Sequence, residues 1–283
     1  MSGSGASAGL GLLSAASWGG SDFAGGFGAR RAPALLVAIS GHAVSFLILL
    51  AVCFTAKIAL PASHFLLYAA AGGFEGALAL AVFYRALSMG GMGLTAALAG
   101  LLTALVPVVF SALRYGLPAP FTAVGLAAGC VAIWLITRGP AGKESESITP
   151  RIALGMGALA GIGFGSQLVF FKMAGGGSLL WVMAAARAAG VAALLIALLL
   201  MPPKSPWRGF WFTGILAGLL DTAGNLLYIQ ASRLGRLDAA AVICSLYPAG
   251  TILLASLVLH EHPSRQQWAG MALALAAVAL LSL

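Results

Sequence analysis

Residues 178–201 read SLLWVMAAARAAGVAALLIALLLM, twenty-four positions with one charge, Arg187. As an α-helix rising about 1.5 Å per residue the stretch would extend roughly 36 Å, enough to cross the ~30 Å hydrocarbon core of a bilayer. Outward from it the chain repeats the pattern. Ten apolar segments of spanning length occur, at approximately 8–28, 34–56, 64–87, 91–112, 118–138, 151–172, 178–201, 207–232, 237–259 and 264–283. Period-2 alternation is absent and Gly, Ala and Leu dominate, which excludes a transmembrane β-barrel. The expected fold class is an all-α integral membrane protein of ten transmembrane helices.

Composition requires the same solvent. Of 283 residues 61% are hydrophobic and 8% charged, against about 25% charged in a soluble domain. A water-soluble fold of this length could not cover so much apolar surface. The net charge of +8 comes from fifteen Lys and Arg placed singly or in pairs at the ends of apolar runs. That is membrane-interface placement; a nucleic-acid footprint would gather the charges on one face. Cys53, Cys130 and Cys244 each lie inside an apolar run, so neither a disulfide framework nor a metal site is implied. The first ten residues carry no Lys or Arg, so the first apolar segment lacks the basic leader of a signal peptide and is read as permanent.

Pro33, Pro61, Pro118 and the run Pro202-Pro203-Lys204-Ser205-Pro206 punctuate the segments as interfacial breaks. The longest polar stretch, residues 139–150 with Lys143, Glu144 and Glu146, reads as a linker between residues 1–138 and residues 151–283. Sliding the second part over the first by 145 residues aligns Ser21 with Ser166, Ala86 with Ala231, Gly90 with Gly235, Pro118 with Pro263 and Gly125 with Gly270. Five spans per half is an odd number, so the halves would enter the membrane in opposite senses. Two inverted five-helix repeats are a carrier architecture, with the substrate at the midplane between them. Loops opposite the termini hold Arg30, Arg31, Arg85, Arg138, Lys143, Arg151, Lys204, Arg208 and Arg265, against Lys57, Arg114, Lys172, Arg233 and Arg236 on the termini side. By charge bias the termini lie outside.

Ionisable and amide groups within the spans are functional candidates, because hydrocarbon penalises them unless they are paired or face water. In the eighth segment Asp221, Asn225 and Tyr228 fall at i, i+4 and i+7, on one face. They line a cavity or knit neighbouring helices, and Arg187 is a candidate partner for Asp221. Glu75 lies halfway along the third segment, where a carboxylate must take up a proton or hold a cation. It is the candidate for proton coupling or a substrate ammonium, or else an ion pair. Trp18 and Asp22 share a face of the first segment, and Gln167 is the repeat equivalent of Asp22. Phe83 aligns with Tyr228, an aromatic from each half; Tyr84, Phe164 and Tyr247 add to that set. His42 reads as a packing histidine. Pro107 and Pro248 interrupt their segments and are candidate gating points. Gly72-Gly73 and the glycines of 161–165 would let helices approach closely.

Three stretches resemble the drug/metabolite transporter superfamily: Ala16-Ser17-Trp18-Gly19-Gly20-Ser21, Tyr84-Arg85-Ala86-Leu87, and Leu259-His260-Glu261-His262-Pro263-Ser264 followed by Gly270. The chain looks most like ten-helix EamA-type bacterial exporters, including the aromatic amino-acid exporter group. The resemblance implies a central cavity between repeats and export of amino acids across the bacterial inner membrane, by a chain working as a monomer without a cofactor. Other small metabolites or drugs are the alternative cargo. Two features depart from that pattern. The usual Gly-Glu pair reads His260-Glu261 here, with Tyr115-Gly116 as its first-half equivalent, and the family's cytoplasmic termini oppose the charge count above. No phosphate-binding loop, His-Glu-x-x-His pair or Gly-x-Ser-x-Gly elbow occurs, so a pump driven by nucleotide and a membrane-embedded enzyme are disfavoured. A channel would need a filter-like segment, and none is seen.

Overall fold

The computed structural model describes residues 3–89, 92–137, 148–203, 211–259 and 264–282. The motif at 260–263, Gly90, most of the expected linker with Lys143, Glu144 and Glu146, and Lys204, Ser205, Pro206 and Arg208 lie outside the described residues. The helices are α1 Gly3–Ala29, α2 Ala34–Thr55, α3 Ser63–Ser88, α4 Met92–Tyr115, α5 Pro120–Thr137, α6 Ile148–Met173, α7 Leu179–Leu200, α8 Trp211–Leu234, α9 Leu237–Cys244, α10 Tyr247–Leu259 and α11 Arg265–Ser282. Among the described residues seven stretches are long and apolar enough to cross a membrane: Ala34–Thr55, Ser63–Ser88, Leu98–Tyr115, Ile152–Gly176, Leu179–Leu200, Trp211–Leu234 and Leu237–Val258. The Gly- and Ser-rich α1 and the 18-residue α5 and α11 are not among them.

Polarity runs from inside to outside, opposite to a soluble protein. Leu113 is 84% exposed, Leu117 88% and Leu199 82%, whereas Arg187 is 2% exposed and Asn225 1%. Water would reject such a surface, and hydrocarbon accepts it.

Cohesion between helices then rests on close backbone approach and on hydrogen bonds. The closest partner of α1 is α8, and α3 packs chiefly on α6 and α7. Along the α1–α8 seam Ser7, Ser14 and Ser21, seven residues apart, donate to the carbonyls of Ala231 (2.8 Å), Gly224 (2.8 Å) and Ala217 (2.9 Å). A seven-residue repeat holds one seam between two helices. Replacing all three serines by alanine is expected to lower stability in detergent by about 2 kcal/mol, at ~0.6 kcal/mol per bond. The check is an SDS titration, in which the triple variant unfolds earlier than the parent. The α4–α6 seam uses glycine instead. Gly157, Gly161 and Gly165, one turn apart, face Thr95, Ala99 and Val106, and a Cβ at any of them would overlap α4.

Close crossings recur at the 145-residue offset. Gly41 of α2 crosses Gly218 of α8 backbone to backbone, and their equivalents, Ala186 of α7 and Gly73 of α3, cross in the same way. Trp18 packs on Gly224, and the contact at the same offset sets Gly163 on Ala79, with the small and large partners reduced to two small ones.

The ninth apolar segment, 237–259, is not one helix. It breaks at Ser245-Leu246 into α9 and α10, just before Pro248, which lacks an N–H and clashes with the carbonyl of residue 244. The Leu246 N–H turns back to the Ile243 carbonyl at 3.2 Å, closing the end of α9 with a tighter turn. Gly100 of α4 fits against the break; a Cβ there would lie 2.9 Å from Pro248 Cγ and 3.2 Å from the Ser245 carbonyl. Pro107, by contrast, lies inside α4, which continues through it.

Candidate functional site

The break and the crossings border a small, partly open cavity. Its walls are Trp18 and Asp22 of α1, Leu80 of α3, Thr103 of α4, Phe164, Gln167 and Leu168 of α6, Asp221 and Asn225 of α8, and Tyr247 at the start of α10. Both halves of the chain therefore contribute. Asp22 and Gln167 stand 145 residues apart, as do Gly76 and Asp221; Gln167 packs on Gly76, whose missing side chain makes room for the amide. The sites are alike in position and unlike in charge.

Trp18 is held by Gly224 beneath it, by Tyr228 tilted at 6.1 Å and by Tyr247 edge-on at 6.2 Å. Phe164 meets Phe83 edge-on at 5.6 Å. Edge and tilted arrangements are the favoured ones between aromatic rings. Phe83 and Tyr228 are fully buried behind the wall, and the Tyr228 hydroxyl donates to the Leu168 carbonyl at 2.8 Å. They support the lining residues and do not form part of it.

Asp221 is the better-partnered of the two carboxylates. Arg187 Nη2 lies 2.6 Å from Asp221 Oδ2, and Arg187 Nη1 lies 2.9 Å from His42 Nε2. A guanidinium only donates, so His42 Nε2 is the acceptor and its Nδ1–H donates to the Ala38 carbonyl at 3.2 Å. His42 is thus more than filling: it braces the arginine that neutralises Asp221. His42 and Arg187 are themselves 145 residues apart, so equivalent positions of α2 and α7 meet face to face.

Asp22, 6% exposed, has no such cation. Among the described residues no Lys, Arg or His nitrogen lies within salt-bridge distance of it. Its electrostatic neighbours are Asp221 and the hydroxyls of Tyr84 and Tyr247. Asn225 uses its amide N–H to bond the Asp221 main-chain carbonyl at 2.8 Å, which fixes its orientation, because that carbonyl can only accept. Its Oδ1 is left buried without a partner among the described residues.

Glu75 is half-buried on α3, with Ser166 of α6 as its electrostatic neighbour, and it is not on the cavity wall. Of the residues singled out from sequence, Trp18, Asp22, Phe164, Gln167, Asp221, Asn225 and Tyr247 converge on the cavity, Pro248 sits beside it at the helix break, and Pro107 lies further along α4. Thr103, Leu80 and Leu168 carry no sequence signal of their own; only the crossing of their helices brings them there.

A solved structure described as "Crystal structure of protein" is 18% identical to the chain, with a TM-score of 0.74 over 96% of this chain and 94% of the other, so the two share a fold. No curated protein matches. Residues 151–283 match the EamA-like transporter family. In its second half the chain is thus similar to EamA-like transporters.

Proposed function

We propose that the chain is a secondary carrier that exports amino acids, neutral and aromatic ones included, across the bacterial inner membrane by alternating access, acting as a monomer. Its body is two inverted five-helix repeats, residues 1–138 and 151–283, joined by residues 139–150, with α9 and α10 counted as one broken span. The observation that carries this reading is the cavity itself, walled by residues of both halves and furnished with carboxylates, amides and aromatic rings. Such a site between opposed halves is where rocking of one bundle against the other would expose cargo to each side in turn. The break at Ser245-Leu246 beside Pro248, and Pro107 within α4, are the proposed hinges. Glu75 and its neighbour Ser166 lie on the α3–α6 seam that such rocking would shear.

Counterflow in liposomes tests it. Vesicles preloaded with one unlabelled amino acid at a time, spanning aromatic, aliphatic, hydroxyl and charged side chains, are expected to accumulate the labelled counterpart transiently. Asn225→Ala is expected to reduce the accumulation several-fold. Folded protein that gives no counterflow with any amino acid overturns the cargo assignment; steady leak without overshoot would indicate a channel.

A further inference from the structure

We infer that the cavity is a primary-amine site, in which Asp22 and the Asn225 Oδ1 receive the ammonium group and the cargo's own carboxylate, where it has one, is not recognised. The inference rests on the cavity being the cargo site and adds which end of the cargo it holds. Among the described residues two acceptors there lack donors: the Asp22 carboxylate has no cation beside it, and Asn225 Oδ1 is buried and unpartnered. An ammonium supplies three N–H donors and one positive charge, and so answers both wants.

For an anion the cavity wall supplies only uncharged donors, among them the Gln167 amide and the Tyr247 hydroxyl, the latter buried without a partner among the described residues. The wall contains no Lys, Arg or His. The nearby cation, Arg187, is 2% exposed and is engaged by Asp221 on one side and His42 on the other. A carboxylate entering this space would meet two carboxylates and no free positive charge. Trp18, Phe164 and Tyr247 provide faces for an apolar body and for the cation, since ammonium groups are drawn to aromatic faces. The structure therefore assigns as ligands monocationic amines on an apolar or aromatic frame, with amino acids bound through the amino group alone.

The experiment uses the purified full chain and three probes of one shape: 2-phenylethylamine, phenylalanine and N-acetylphenylalanine. Binding is read first as thermal stabilisation in detergent, which requires no transport, and then as competition in phenylalanine counterflow. The amine is expected to bind at least as tightly as phenylalanine, and the N-acetyl compound about tenfold or more weakly, as loss of a charge-assisted pair predicts. Asp22→Asn, which keeps shape and removes charge, is expected to weaken amine binding by a similar factor while eluting as folded protein. Asn225→Leu provides an independent check at the second acceptor and is expected to weaken amine binding several-fold. Equal binding of the N-acetyl compound, or unchanged amine binding in folded Asp22→Asn, overturns the inference. If the amine stabilises the parent and not Asp22→Asn while counterflow is absent, the amine site stands and the carrier reading falls. If counterflow proceeds and the acetylated acid competes equally, the carrier reading stands and the amine site falls.

Discussion

Arg187→Met is expected to lower the stability of the protein in detergent by about 3–5 kcal/mol, the usual cost of removing one member of a buried ion pair. The expectation comes from what is left behind. Arg187 Nη2 sits 2.6 Å from Asp221 Oδ2, and the arginine is 2% exposed; methionine fills most of its volume and supplies no charge. Asp221 would then face the same cavity as Asp22 with neither acid paired. His42 would lose the donor to its Nε2. Much of the loss is a penalty on the orphaned carboxylate, so a second substitution, Asp221→Asn, should return a good part of it although it restores no contact. A double-mutant cycle of the two single variants and the pair, each unfolded by SDS and followed by tryptophan fluorescence, isolates the coupling. Arg187→Met unfolding together with the parent, or a double variant no better than Arg187→Met, would sink this account.

That pair also shows how far sequence alone reaches. A single arginine in the apolar run 178–201 requires a counter-charge, and the few acids within spans make Asp221 a natural candidate. His42 has no such requirement, because a neutral imidazole can be satisfied locally, and its bond to Arg187 depends on α2 and α7 facing each other across 145 residues. The carboxylates show the same limit. Asp22 and Glu75 are chemically similar and both fall inside apolar segments, yet Asp22 reaches the cavity wall and Glu75 does not. Which way a helix face turns is settled by the partner helix.

Helix placement was legible to within a few residues in most segments, because hydropathy reports the solvent directly. The break in 237–259 was legible only as a proline. Pro107 and Pro248 have identical local chemistry, but α4 runs through the first and the chain parts before the second, where Gly100 of the neighbouring helix takes up the gap. The serine seam is a further instance. Ser7, Ser14 and Ser21 stand in plain seven-residue register, but small residues are so common in this chain that the register acquires meaning only with α8 laid against it.

Backbone proximity gives the other large effect. Gly218→Ala is expected to destabilise by about 3 kcal/mol, at the upper end of overpacking, and Gly218→Leu to abolish folded protein. A Cβ on Gly218 would overlap the Cα and carbonyl carbon of Gly41, and one on Gly41 would lie 2.6 Å from Gly218 Cα. Both obstacles are main chain, so no rotamer change relieves them; α2 and α8 would have to separate. Separation would disturb the Ser45 bond to the Gly218 carbonyl as well. Gly155→Ala is the control, since a Cβ there meets open space, and in a helix it should be neutral or stabilising by up to about 1 kcal/mol. The change 145 residues earlier, Gly73→Ala, meets the main chain of Ala186 and is expected to cost about as much as Gly218→Ala. Thermal melts in detergent of the three single variants decide the matter. Similar losses at Gly73 and Gly218 with none at Gly155 would mean that both halves are held by one crossing rule; a Gly218→Ala melt matching Gly155→Ala would mean that α2 and α8 do not touch through their backbones.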